Sequence, residues 1–135
     1  MISAEVVEPP IVHGTYHEFV DYLKDPDSPA PLLSPRRFCQ ALQINLQTLA
    51  ELARVHRNTI TRAPGSRGVQ NYIREALRVI KAATDLSGDV TTALFWYRNE
   101  PLSAFKYRTA EELVSKGRTE DLLQFVSSLE AGPVG

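Results

Sequence analysis

The sequence is poor in cysteine and contains no long apolar run. Cys39 is the only cysteine among 135 residues, which excludes an intramolecular disulfide and any zinc site built from four cysteines or from two cysteines and two histidines. Nowhere do about 18 apolar residues follow one another, the length that a transmembrane helix requires. Residues 1–10 contain two Glu and two Pro, where a signal peptide would have a basic start and an apolar stretch. We therefore expect a cytoplasmic protein with no membrane partner.

The chain also lacks a strong net charge, but its charges are unevenly distributed. The total is −1, and 43% of the residues are hydrophobic, enough to form a core. Residues 34–82 contain nine basic and two acidic side chains, a net charge of +7. Residues 1–33 have a net charge of −5 and residues 83–135 a net charge of −3. This asymmetry indicates an anionic partner for the middle segment, with nucleic acid as the first candidate.

Strand-like alternation is absent, and apolar residues recur at helical spacing, so we expect an all-α fold. Capping boxes are predicted at Thr15 and Glu18 and at Thr109 and Glu112. Residues 25–33 contain three prolines and are predicted to be an extended linker. A further helix is predicted to begin after Ser34, and three more to span residues 46–53, 57–62 and 69–83. Another helix is predicted to follow Gly88, and the last helix to end before Gly132.

Residues 45–62 have the spacing of a helix-turn-helix. Ala50 is the small residue where two helices would cross, Val55 is the apolar residue of the turn, and Ile60 faces inward from the second helix. Arginine suits guanine or phosphate, asparagine suits adenine, and threonine suits phosphate or a thymine methyl group. The expected DNA contacts are Gln47, Arg57, Asn58, Thr59, Thr61, Arg62 and Arg67. The alternative is an ordinary helical pair with a solvated polar face.

A second basic group lies at helical spacing further along the chain. Arg74, Arg78 and Lys81 fall on one stripe of the helix predicted over residues 69–83. This stripe contacts phosphate in one interpretation and is an ordinary solvated face in the other.

The helix-turn-helix segment resembles the Xre (lambda-repressor-like) family. The matching positions are Leu46, Leu49, Ala50, Val55, Arg57, Thr59, Ile60 and Arg62. The chain departs from the family pattern at Arg54, where the turn usually has glycine. A left-handed backbone at Arg54 would cost about 1 kcal/mol.

The C-terminal segment looks like the toxin-binding domain of Xre/MbcA/ParS-type antitoxins. The matching positions are Trp96, Asn99, Pro101, Leu102, Thr109, Glu112, Leu113, Gly117, Leu122, Leu129 and Gly132. Residues 103–107 depart from the family pattern, in which glycine often follows the Asn-x-Pro-Leu turn, and this leaves the identity of the toxin open.

The resemblance implies an antitoxin that represses its own operon and neutralises a co-encoded toxin, often a RES-type enzyme that consumes NAD. The implied organisation is an acidic N-terminal tail with one short helix and a Pro-rich linker (1–33), a lambda-repressor-like DNA-binding region (34–88) and a small helical toxin-binding region (89–135). A homodimer or higher oligomer is expected. The expected toxin contacts are Leu102, Phe105, Lys106, Tyr107, Arg108 and Arg118, with Leu102, Phe105 and Tyr107 exposed near the proline turn. In the alternative, these three residues fill a small core of their own.

Two other functions remain open from the sequence. One is a stand-alone Xre-type regulator whose C-terminal region mediates dimerisation, and the other is a helical adaptor whose basic face binds an anionic protein. No catalytic residues, cofactor or metal site are expected. His13 and His17 have the spacing of a helical metal pair, but Gly14 interrupts that geometry.

Overall fold

The computed structural model describes residues 14–130, and every regular element of this part of the chain is helical. The all-α prediction is therefore confirmed for these residues, in which two isolated bridges are the only β pairing. The helices are α1 Tyr16–Leu23, α2 Pro35–Leu42, α3 Leu46–Ala53, α4 Arg57–Arg62, α5 Arg67–Ser87, α6 Val90–Asn99, α7 Ala110–Ser115 and α8 Thr119–Glu130, with a 3₁₀ turn at Ser103–Phe105. His13, most of the tail predicted before the first helix and the predicted C-terminal stop at Gly132 lie outside the described residues.

The helix starts follow the caps expected from the sequence. The hydroxyl of Thr15 accepts from the N–H of Glu18 at 3.1 Å, and the Glu18 carboxylate accepts from the N–H of Thr15 at 2.9 Å. Thr109 and Glu112 form the same reciprocal pair at the start of α7. Both capping boxes are confirmed, and each satisfies two backbone donors that a helix start leaves free.

Helix α5 organises the core and is longer than its apolar period predicts. It runs for 21 residues, from Arg67 to Ser87, because its polar end residues continue the helix until Gly88 takes a left-handed φ of 84°. Every periodic position from Val69 to Ala83 is buried, and α5 packs against α3, α6, α7 and α8. One apolar cluster therefore extends from α1 to α8.

The segment 25–33 is not an extended linker, and this prediction is wrong. The N–H of Asp25 donates to the carbonyl of Leu32 at 2.9 Å, and the N–H of Ser34 donates to the carbonyl of Leu23 at 2.7 Å. The segment thus closes on itself and returns the chain beside α1. Phe19 and Leu23 of α1 are fully buried in the common core.

A buried glutamine explains this closure. Gln70 of α5 is 2% exposed. Its side-chain oxygen accepts from the N–H of Leu33 at 3.1 Å, and its Nε2 donates to the carbonyls of Leu33 and Pro64, both at 2.8 Å. One side chain thereby satisfies backbone groups from two loops, which a buried amide must do to offset its desolvation. Leu33 lies 37 residues from Gln70 in the chain, so the local sequence does not reveal this contact.

Among the helices of residues 14–130, none combines the length and the apolar composition needed to cross a membrane.

Candidate functional site

Helices α3 and α4 are joined by the three-residue turn 54–56 and pack against each other. Ala50 and Ile60 are buried, as expected for the residues where these two helices meet. Arg54 ends α3 in the left-handed region, at φ 59° and ψ 43°, and the N–H of Val55 donates to the carbonyl of Ala50 at 3.0 Å. The conformation that glycine adopts most easily is therefore held here by arginine.

Helix α4 carries most of the expected DNA contacts. Arg57, Asn58, Thr61 and Arg62 are exposed, and Thr59 is half-buried. The Nδ1 atom of His56 accepts from the N–H of Asn58 at 3.2 Å and so caps the helix. Among residues 14–130, no acidic side chain forms an ion pair with Arg57 or Arg62.

Two further expected DNA contacts lie outside α4. Gln47 is exposed in the first turn of α3, and its Nε2 donates to Glu51 at 3.2 Å. Arg67 is exposed at the start of α5, and no ion pair is found for it within the described residues. The side-chain amide of Gln47 is thus already engaged, whereas the guanidinium of Arg67 is free to bind an anion.

A groove of about 530 Å³ adjoins α4, and one of the arginines that line it was not among the DNA contacts expected from the sequence. Arg36 of α2 lines this groove together with Ile60 and Thr61 of α4. Arg36 is exposed, and its charge was the only signal that could have found it. The lining of the groove also includes Asp25 and Asp27, so this groove is not uniformly basic.

The second basic stripe is largely neutralised by carboxylates of the chain itself. Nη2 of Arg78 lies 2.8 Å from Glu120 of α8, and Nη1 lies 3.2 Å from Glu75. Nζ of Lys81 lies 3.0 Å from Asp85. Within residues 14–130, the arginines of segment 34–82 that have neither an ion pair nor a side-chain hydrogen bond are Arg36, Arg57, Arg62, Arg67 and Arg74, whereas Arg37, Arg54 and Arg78 are engaged.

The loop after α6 has a fixed backbone. The N–H of Leu102 donates to the carbonyl of Arg108 at 3.0 Å, and the carbonyl of Leu102 accepts from the N–H of Phe105 at 2.9 Å and from that of Tyr107 at 2.8 Å. Lys106 and Tyr107 follow each other in the left-handed region, with φ of 58° and 66°. Two successive non-glycine residues in this region cost about 1–3 kcal/mol each. The loop is therefore both pre-organised and strained.

The side chains expected to bind a toxin divide into buried and exposed groups. Leu102 is only 5% exposed and belongs to the core, so the expectation that it is exposed is wrong. Both backbone groups of Leu102 are bonded within the loop, and its apolar side chain is removed from water in the core. Tyr107 is 70% exposed, and Lys106, Arg108 and Arg118 are also exposed.

Phe105 is half-buried and held from two sides. Its ring meets that of Phe125 of α8 edge-on, with the centroids 5.6 Å apart. The guanidinium of Arg118 lies 5.2 Å from the centroid of Phe105, and its Nε lies 3.1 Å from Asp121. Phe105 therefore anchors the loop, and Tyr107 is the aromatic side chain that projects from it.

No group of three or more His, Cys, Asp or Glu residues within 14–130 is arranged to hold a metal ion. His17 is exposed and lies 3.3 Å from Asp21 on the same helix.

Comparison with protein-family models, with curated proteins and with solved structures finds no match to this chain.

Proposed function

We propose that the chain is a DNA-binding antitoxin, which represses its own operon through α3 and α4 and captures a co-encoded toxin through the loop 102–108. The observation that carries the DNA-binding part is the composition of α4. Its exposed side chains are base-reading types, and neither of its arginines has an acidic partner within the described residues. Exposed cations without partners can bind phosphate with no loss of an internal ion pair.

The buried side of the pair also supports a helix-turn-helix. Ala50 allows close approach of α3 and α4, and Ile60 anchors α4 to the core. A short second helix that buries one residue and exposes arginine, asparagine and threonine is what a reading helix requires. Three further arginines without a partner among the described residues, Arg36, Arg67 and Arg74, lie on α2 and α5 and add positive charge beyond α4.

The toxin-binding part is supported by the loop 102–108. Tyr107 projects from a backbone fixed by five hydrogen bonds within residues 102–108, and the exposed cations Lys106 and Arg108 flank it. Because this backbone is already fixed, it loses little entropy when the aromatic side chain enters a pocket on a partner. The two flanking cations favour a toxin whose pocket has an acidic rim.

A duplex selection tests the DNA-binding part. The full chain is incubated with a random duplex pool, and the enriched sequence is compared with a scrambled duplex of equal length at fixed salt. We expect an enriched palindrome bound at least about 10³-fold more tightly than the scrambled duplex, with half-sites one helical turn apart or a multiple of it. Equal affinity for the two duplexes would contradict sequence-specific repression.

Co-purification with the product of the adjacent gene tests the toxin-binding part. Deleting residues 93–135 is a poor test, because Tyr97, Leu113 and Leu122 belong to the single core and their loss would unfold the chain. Point substitutions at Tyr107 keep that core intact. Unaltered capture by a Tyr107→Ala, Arg108→Ala variant would contradict the proposed toxin surface.

A stand-alone regulator that dimerises through its C-terminal region is the second candidate. It is favoured by the exposed apolar side chains of α6 and α8, with Phe95 67% and Leu129 45% exposed. Sedimentation of the full chain with Phe95→Ser distinguishes it from the first candidate. If Phe95→Ser dissociates a dimer and the full chain does not co-purify with the product of the adjacent gene, the stand-alone regulator would be favoured.

A further inference from the structure

The end of α3 and the turn that follows it are bonded to the end of α7 by two hydrogen bonds, one in each direction. Nε of Arg54 donates to the carbonyl of Ser115 at 2.9 Å. The Ser115 hydroxyl donates to the carbonyl of Leu52 at 2.7 Å. The bonded residues are 61 and 63 positions apart in the chain, so the contact joins the proposed DNA-binding part to the C-terminal part.

Each bond satisfies a carbonyl at the end of a helix. Leu52 lies in the last turn of α3, and Ser115 is the last residue of α7. Carbonyls in these positions have no N–H partner within their own helix. In α3, the carbonyls of Ala50 and Glu51 accept from the N–H of Arg54, whereas that of Leu52 accepts from Ser115. The two helices therefore cap each other.

Helix α4 has few contacts of its own to fix its direction. It is six residues long, and Ile60 is its only buried residue. Its angle to α3 therefore depends on the turn, in which Arg54 holds a left-handed conformation unfavourable for a side chain with a Cβ. The two bonds with Ser115 tie Arg54 of this turn, and Leu52 just before it, to the end of α7.

We infer that Ser115 and Arg54 are positioning residues for the DNA-reading helix, so that α7 holds α4 at its reading angle. This inference rests on the proposed DNA-binding function. Base contacts require side chains placed to a fraction of an ångström, whereas phosphate contacts through long arginines tolerate small rotations of the helix. Loss of the contact should therefore reduce sequence discrimination more than it reduces affinity for DNA in general.

Ser115→Ala tests the inference without changing charge, and Ser128→Ala is its matched control. Ser128 also donates from a helical hydroxyl, but to the carbonyl of Phe125 in its own helix. The readout is the ratio of the dissociation constants for the scrambled and the selected duplex. We expect Ser115→Ala to lower this ratio about fivefold, the effect of one lost hydrogen bond, and Ser128→Ala to leave it unchanged. Ser115→Thr keeps a hydroxyl, so its ratio should equal that of the unsubstituted protein.

Arg54→Gly provides a second variant that relieves the backbone strain while removing the guanidinium. Gln43→Gly is its control, because Gln43 is exposed and ends α2 with the same left-handed geometry, at φ 58°. We expect Arg54→Gly to lower the discrimination ratio even though its turn conformation is less strained. A ratio unchanged in both Ser115→Ala and Arg54→Gly would overturn the inference.

Hydrogen exchange of the free protein separates this inference from the proposed function. We expect Ser115→Ala to accelerate exchange of the α4 amides relative to those of α5, and Ser128→Ala to change neither. Accelerated α4 exchange in a protein that prefers no duplex would leave the positioning of α4 supported and overturn the DNA-binding proposal. Unchanged α4 exchange would overturn the positioning role itself.

Discussion

Arg78 of α5 and Glu120 of α8 form an ion pair across the helix interface, with Nη2 and Oε2 2.8 Å apart. Glu75 on the same helix approaches Arg78 as well, and hydrogen bonding to Glu120 raises the pKa of Arg78. The positive charge of this arginine is thus balanced within the chain. Within residues 14–130, the arginines on α2, on α4 and at the start of α5 have no such carboxylate partner, so their charge is available to an anionic ligand.

Arg57→Ala and Asn58→Ala should each cost about 1–3 kcal/mol of binding free energy at the selected duplex, because each would remove a base contact. Arg78→Ala is the control and should change binding to any duplex little, since Glu120 already neutralises Arg78. Fluorescence anisotropy on the selected and scrambled duplexes measures both effects. If Arg57→Ala and Asn58→Ala weakened both duplexes equally, these residues would be phosphate contacts and not base readers.

Tyr107→Ala should weaken capture of the toxin at least about tenfold, because it would remove the projecting aromatic anchor of the interface. Phe95→Ala is a matched control, since Phe95 is an aromatic residue of similar exposure (67% against 70%) on α6. Calorimetric titration with the purified neighbouring gene product measures the change. A larger loss from Phe95→Ala than from Tyr107→Ala would move the interface to α6.

Lys106→Gly should stabilise the fold by about 0.5–1 kcal/mol, because relief of the left-handed strain exceeds the entropy that glycine gains in the unfolded chain. Ser103→Gly in the same loop is the control, and there φ is not positive. That change should destabilise by about 0.5–1 kcal/mol. Urea unfolding measures both variants, and a destabilised Lys106→Gly protein would show that the loop is not strained at this residue.

Tyr97→Phe should destabilise the fold by about 1–3 kcal/mol, because it leaves the buried hydroxyl of Tyr72 without its partner. The two phenol oxygens are 3.1 Å apart, and burial raises the pKa of both groups, so both remain protonated. The double variant with Tyr72→Phe should cost less than the sum of the single changes. Additive costs in urea unfolding would mean that the two hydroxyls do not depend on each other.

Local signals in the sequence predicted much of the fold. The Thr15 and Thr109 capping boxes and the periodic burial along α5 each follow from residues within a few positions of one another. Such features are determined by backbone hydrogen bonding and by side-chain spacing, both of which can be read along the chain.

Features that depend on distant partners could not be predicted in this way. Gln70 closes the proline-rich segment onto α5, and Glu120 neutralises Arg78. The burial of Leu102 depends on the fold of its loop. For Gln70 and Arg78 the deciding partner comes from another element. Charge counts therefore left the second basic stripe open between a phosphate contact and a solvated face, and motif spacing gave one wrong anchor, Leu102.

The salt dependence of DNA binding tests the central claim most directly. The association constant of the full chain for the selected duplex is measured by anisotropy between low and moderate salt. If arginines without partners, on α4 and its neighbours, contact phosphates, log K should fall linearly with log salt at a slope of about −3 or steeper, from roughly −0.9 per phosphate. A flat dependence, or the absence of any duplex binding, would contradict the proposed DNA-binding function.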